Sequence, residues 1–140
     1  MVYSQDSAYL KIFNNVIKST GRAAINLAGV DNSMIEGNII RKTSLETPNS
    51  RSAIVLSTNC NGVLIKDNQI LLSNNKYGIS VTSTCLNIQS FNNNAQGIEG
   101  AISIPPNSGF DGLVINNNIS GTRYRMFITE DGKPEFTEWR

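Results

Sequence analysis

The chain contains no histidine, two cysteines, four prolines and a single tryptophan. Without histidine there is no imidazole general base, no Ser-His-Asp arrangement and no ligand set for the commonest zinc centres. Chemistry would have to rest on carboxylates, Lys, Arg, Tyr, Ser or the two thiols. An excess of one charge is missing as well: 12 Lys plus Arg against 11 Asp plus Glu leave a formal net charge of +1. No uniform field therefore draws in a nucleic-acid backbone or an anionic bilayer. No apolar run approaches the roughly 20 residues of a membrane-spanning helix, and Met1 to Leu10 lacks the basic and then apolar pattern of a signal peptide. These absences predict no nucleic-acid partner, no membrane insertion, no export signal in this chain, no cofactor and no metal site. A length of 140 residues is that of one domain with a single core.

Asparagine is the abundant exception. There are nineteen, with runs at Asn92-Asn93-Asn94 and Asn116-Asn117-Asn118. Asn is disfavoured inside helices and strands alike, so a particular local structure must recruit it. Two short patterns alternate along the chain. The first is a small residue followed by apolar residues on either side of a variable one: Ala24-Ile25-Asn26-Leu27, Ala53-Ile54-Val55-Leu56, Gly78-Ile79-Ser80-Val81 and Ala101-Ile102-Ser103-Ile104. The second is an Ile with an Asn three positions later: Ile12 with Asn15, Ile35 with Asn38, Ile65 with Asn68 and Ile115 with Asn118, while Ile88 has Phe91 in the Asn place. The first pattern recurs at 29, 25 and 23 residues and the second at 23, 30, 23 and 27.

No segment shows the three-and-four apolar spacing of a helix; each motif is a short alternating stretch, as in a half-buried strand. A repeat of this length holding three short strands and three turns is the unit of a parallel β-helix, whose coils stack at the strand spacing of roughly 4.8 Å. The predicted fold is therefore all-β, a parallel β-helix of four to five coils over residues 1–122. A capping or assembly segment follows over residues 123–140, where Tyr124, Met126 and Ile128 alternate before Asp131-Gly132, a strong hairpin signal. Stacking also accounts for the asparagines. Asn tolerates a left-handed bend, and its amide can bond to the Asn one coil above and below. Asn15, Asn38, Asn68 and Asn118 are the expected ladder, interrupted by Phe91, with Asn92 taking over by a shift of one residue. Cys60 and Cys85 each lie six residues after the Ile of a small-Ile-x-Leu strand, so they are expected to stack as buried thiols.

These phased motifs resemble the right-handed parallel β-helices of the pectate-lyase-like superfamily, over roughly residues 8 to 120. The Asn and Ser content and the short C-terminal appendage are most similar to bacteriophage tailspikes and neck-appendage proteins. The resemblance implies a homotrimer that binds, and often cleaves, bacterial surface polysaccharide. It also implies a protein that folds in the host cytoplasm and resides in the virion. A polysaccharide lyase or glycosidase of the same fold is the first alternative, and a structural rod that binds nothing is the second.

In the superfamily the substrate groove runs along a strand face. In the small-Ile-x-Leu strands the expected outward residues are Ala24, Asn26 and Ala28; Ala53, Val55 and Ser57; Gly78, Ser80 and Thr82; Ala101, Ser103 and Pro105. None is ionisable. Catalytic candidates therefore come from elsewhere: Glu36 and Asp67, brought to adjacent coils by aligning Ile35 with Ile65, and the turn residues Glu99 and Asp111. A glycosidase needs two carboxylates roughly 5 to 10 Å apart, and Glu36 beside Lys66 reads equally as a cross-strand ion pair. Sugars are held by amide, carboxylate and guanidinium hydrogen bonds against an aromatic platform. The candidates are Asn49 and Arg51 in the longest connection, Lys42 to Ser52, and the aromatics Tyr77 and Phe110.

Overall fold

In the computed structural model, which describes residues 1–103 and the backbone of three later strands, β-strands of two to five residues alternate with turns along the repeat region. No helix occurs among the described residues. Three parallel sheets run up the stack. The first joins β1 (Val2–Gln5), β4 (Ile25–Ala28), β7 (Ile54–Ser57), β10 (Tyr77–Val81) and β13 (Gly100–Ser103). The second joins β2 (Lys11–Phe13), β5 (Met34–Glu36), β8 (Leu64–Lys66) and β11 (Gln89–Phe91); the third joins β3 (Val16–Lys18), β6 (Ile39–Arg41), β9 (Gln69–Ile70) and β12 (Asn94–Ala95). Every pairing in these sheets is parallel and links one coil to the next, which makes a β-solenoid of about four turns.

The core follows from the register. Ile25, Ile54 and Ile79 stack from the first sheet, Ile12, Ile35 and Ile65 from the second, and Ile17, Ile40 and Ile70 from the third. Except at the lowest coil, where Ile12 and Ile17 keep slight exposure, these side chains are fully buried. A three-residue strand can point only its middle side chain inward, and isoleucine's branched Cβ suits that position. Register partners in the first sheet are 23, 29, 25 and 23 residues apart. The surplus of the second coil lies in the segment before β7.

Left-handed residues stack like the strands. Tyr9, Asn32, Gly62 and Asn87 all have positive φ at one corner, and Asn14, Gly37, Asp67 and Asn92 do so at the next. The asparagine ladder sits one position after this second column, so its members are not themselves left-handed, contrary to the expectation. The Asn15 backbone N–H donates to Asn38 Oδ1, the Asn38 N–H to Asn68 Oδ1 and the Asn68 N–H to Asn93 Oδ1, each at 3.0 Å. The fourth member is thus Asn93 rather than Asn92. Ser90 is the register partner of Ile65, whereas Ile88 lies one strand position before β11 and is buried in the core. The phase of the repeat at this coil is set by Ser90, with Asn93 three positions after it, and not by Ile88. Asn118 lies outside the described residues. The Ile115 before it is in β14 (Leu113–Asn116), which pairs antiparallel with β15 (Arg123–Ile128).

A second correction concerns the first sheet. Ala24, Ala53 and Gly78 were expected to face outward but are buried. The backbone N–H groups of Ala24 and Ile25 both donate to the Ala53 carbonyl, at 2.9 and 3.1 Å, a bulge that turns the small residue toward the interior. A side chain at Gly78 would meet Ala95 Cβ at 2.8 Å. Small residues recur here because the corner has no room.

The chain divides into units Met1–Phe110 and Asp111–Arg140. In the second unit β15 also pairs antiparallel with β16 (Pro134–Trp139), from Arg123 with Trp139 to Ile128 with Pro134. The Asp131-Gly132 turn between them lies outside the described residues.

Cys60 and Cys85 occupy equivalent positions on successive coils. The Leu86 N–H donates to the Cys60 carbonyl at 2.9 Å, and Asn61 pairs in parallel with Leu86. Both thiols are free and fully buried. Cys60 Sγ lies 3.5 Å from the Leu27 carbonyl and Cys85 Sγ 3.7 Å from the Leu56 carbonyl, and the neighbouring thiol together with burial pushes the Cys60 pKa up. One coil rise of roughly 4.8 Å lies inside the Cα range of about 4.4 to 6.8 Å that a disulfide spans. Native protein should resist alkylation at both thiols. Slow treatment with a thiol oxidant should cross-link them within one chain, with loss of about two daltons as two thiol hydrogens leave. Rapid alkylation of either thiol, or cross-linking only between chains, would contradict this register.

Candidate functional site

The longest connection folds against its own backbone before it reaches outward. Thr43 and Ser44 are buried; Ser44 Oγ donates to the Thr47 carbonyl at 2.7 Å and accepts from the Arg51 N–H at 3.3 Å. Asn49 takes a left-handed conformation, φ 58°, and its N–H donates to the Asn74 carbonyl on the next coil at 2.7 Å. The Lys76 N–H donates to the Arg51 carbonyl and the Glu99 N–H to the Lys76 carbonyl, at 2.9 and 2.8 Å. Three segments far apart in sequence are thereby laid side by side where the strands of the first sheet begin.

Their side chains converge on one carboxylate. Asn49 Nδ2 donates to Glu99 Oε1 at 3.1 Å, Tyr77 Oη donates to Glu99 Oε2 at 3.0 Å, and Lys76 Nζ lies 3.4 Å from the same oxygen. The lysine also stands 5.7 Å from the centre of the Tyr77 ring. Tyr77 is the first residue of β10 and pairs with Gly100 at the start of β13, so a strand fixes it. Partial burial pushes the Glu99 carboxyl up, but the Tyr77 and Asn49 hydrogen bonds and the Lys76 charge outweigh it and hold the group below the ordinary glutamate value. Glu99 is therefore ionised at neutral pH and cannot deliver a proton as a general acid.

The other acidic candidates are placed differently. Glu36 and Asp67 do come together, but around one lysine: Lys66 Nζ is 2.8 Å from Glu36 Oε1 and 3.7 Å from Asp67 Oδ2. The hydrogen bond to Glu36 raises the Lys66 pKa against the opposing effect of burial, with Asp67 adding to the rise. Asp67 also accepts from Asn92 Nδ2. This is the cross-strand ion pair that the register of Glu36 with Lys66 dictates. Asp111 and Phe110 lie outside the described residues. Arg51 is exposed and makes no ion pair among the described residues. Along the first sheet, Asn26, Ala28, Val55, Ser57, Ser80, Thr82 and Ser103 are half-buried and carry no ionisable group.

Of the sugar-binding candidates, Asn49, Tyr77 and the backbone of Arg51 are brought together, and Glu99, by sequence a candidate catalytic acid, joins them. Lys76 was missed. The signal for it was its place immediately before Tyr77, because a cation next to the first residue of a strand shares that strand's flank. No family model, curated protein or solved structure matches the chain.

Proposed function

We propose that this solenoid binds bacterial surface polysaccharide on the flank formed by Asn49, Lys76, Tyr77 and Glu99, as the β-helix segment of a phage tailspike or appendage that works as a homotrimer in the virion. The observation that carries the reading is the convergence of an amide, an ammonium, a phenol and an ionised carboxylate from three coils at the border of a flat face without charge. Such a set offers donors and acceptors to vicinal hydroxyls, and the tyrosine ring offers an apolar surface to a sugar's axial C–H groups. A single ionised carboxylate with no partner acid among the described residues suits binding better than hydrolysis.

Arrays of capsular and O-antigen oligosaccharides test the binding. The intact chain should bind a subset of them, and Tyr77→Ala and Glu99→Gln should each weaken that binding about tenfold or more. Both variants should melt close to the parent, because these side chains are at the surface. Binding that survives both substitutions, or none to any glycan, would overturn the reading. New reducing ends or an unsaturated-uronate absorbance would move it to a glycosidase or lyase. Light scattering should give about three times the chain mass of 15.3 kDa.

A further inference from the structure

The second and third sheets treat charge in opposite ways. On the second, Glu36 and Lys66 are register partners and neutralise each other. On the third, Lys18 and Arg41 are register partners, both exposed, followed by the exposed Lys42. Like charges directly opposite on neighbouring strands destabilise a sheet. None of the three cations forms an ion pair among the described residues. The other outward residues of this sheet are Val16 and Ile39, which are 58% and 36% exposed, and the exposed amides Gln69 and Asn94 in register above them. No carboxylate occurs on its strands. At the end of β3 the chain forms a shallow concavity lined by Lys18, Thr20, Arg22 and Glu46. Its one carboxylate, Glu46, is engaged by Arg22 at 3.3 Å, which leaves Lys18 uncompensated.

We propose that the outer face of the third sheet is a second binding surface, for acidic polysaccharide. Lys18 and Arg41 hold carboxylate groups of successive uronate-type residues, Val16 and Ile39 underlie the sugar rings, and Gln69 and Asn94 bond their hydroxyls. The inference rests on the polysaccharide reading and names the class of glycan. Charge complementarity selects the occupant: two cations one coil apart, roughly 4.8 Å, offer paired sites to an anionic chain, and the exposed amides and aliphatic strip suit a sugar. A nucleic acid would meet no aromatic stacking surface on these strands.

Titration with oligogalacturonate, maltooligosaccharide and duplex DNA tests the proposal, using the full chain with and without Lys18→Gln/Arg41→Gln. The parent should bind oligogalacturonate at least about tenfold more tightly than the neutral oligomer, with affinity falling as salt rises, and the double substitution should remove that preference. Arg41→Glu provides a check independent of fold loss. It converts a like-charged pair into an opposite one, so it should raise the melting temperature slightly while abolishing oligogalacturonate binding. Equal binding of both sugars, an unchanged preference in the double variant, or equally tight binding of DNA would each overturn the proposal. If only this face fails, neutral glycans still bind and remain sensitive to Tyr77→Ala. If the polysaccharide reading itself fails, no sugar binds at either place.

Discussion

Replacing Asn68 with alanine should lower the melting temperature by about 10 °C or more. Asn68 is 2% exposed, and its amide nitrogen donates to the Ile35 carbonyl at 3.0 Å, the Lys66 carbonyl at 2.9 Å and Asn93 Oδ1 at 2.9 Å. Its Oδ1 accepts from the N–H and the side chain of Asn38, both at 3.0 Å. Alanine leaves these partners without the bond, in a space closed to water. At about 1 to 3 kcal/mol for each buried group orphaned, the sum is on the order of 3 to 5 kcal/mol after partial relaxation. A domain of this size melts some 2 to 4 °C lower for each kcal/mol lost. Gln89→Ala, at an exposed position whose side chain makes no hydrogen bond among the described residues, should shift melting by no more than about 2 °C. Similar shifts at the two positions would mean that the ladder contributes nothing beyond an ordinary turn.

Asn68→Asp sharpens the test through pH. Its carboxylate would keep the acceptor but face two carbonyls and the Asn93 oxygen, so its folded pKa should lie above the unfolded value. A carboxyl raised in this way destabilises the fold once pH exceeds the unfolded pKa, and the loss grows until pH passes the folded one. The aspartate variant should therefore recover stability relative to its parent on acidification from pH 7 toward 4, and the alanine variant should not. Parallel pH profiles for the two variants would show that the amide's donors are not what the ladder requires.

The solenoid was legible in the sequence because its physics is repetitive. Ile25, Ile54 and Ile79 occupy one column, and each coil must supply an apolar side chain there or leave a void. Asn38 and Asn68 were legible for the same reason, since each satisfies the next. Legibility ended where one coil departed from the rule. Ser90 stands where Ile65 stands one coil earlier, and the nearby Ile88 offered a false phase that displaced the predicted ladder from Asn93 to Asn92. The inward turn of Ala24 depends on two N–H groups sharing the Ala53 carbonyl, a bulge that leaves no periodic trace. The polar flank was least legible. Asn49 meets Glu99 only because the long connection crosses Asn74 on the way, and a contact over fifty residues of sequence has no local signature. The sequence does announce Tyr77, Asn49 and Glu99 as chemically useful, but their grouping is a property of the fold.

Ile54→Ala should be nearly as damaging as loss of the ladder, for a different reason. Ile54 is fully buried between Ile25 and Ile79 in the middle of the first sheet. Truncation removes three side-chain carbons' worth of burial and leaves a cavity whose walls are strands pinned from both sides, so collapse is restricted. A cost of about 3 to 4 kcal/mol is expected for such a site. Ile102 belongs to the same column but is 39% exposed at the end of its sheet, and Ile102→Ala should cost about 1 kcal/mol or less. The contrast tests more than burial. In a solenoid each coil touches only its neighbours, so stability is close to a sum of coil and interface contributions. A weakened central interface uncouples the coils below from those above, whereas a weakened terminal one merely frays an end. Denaturant unfolding of Ile54→Ala should therefore show a lower midpoint and a shallower transition, while Ile102→Ala keeps the parent's slope. Equal midpoints for the two variants would mean that the column is not continuously packed. A steep single transition for Ile54→Ala at a lowered midpoint would mean that the coils unfold as one unit despite their nearest-neighbour connectivity.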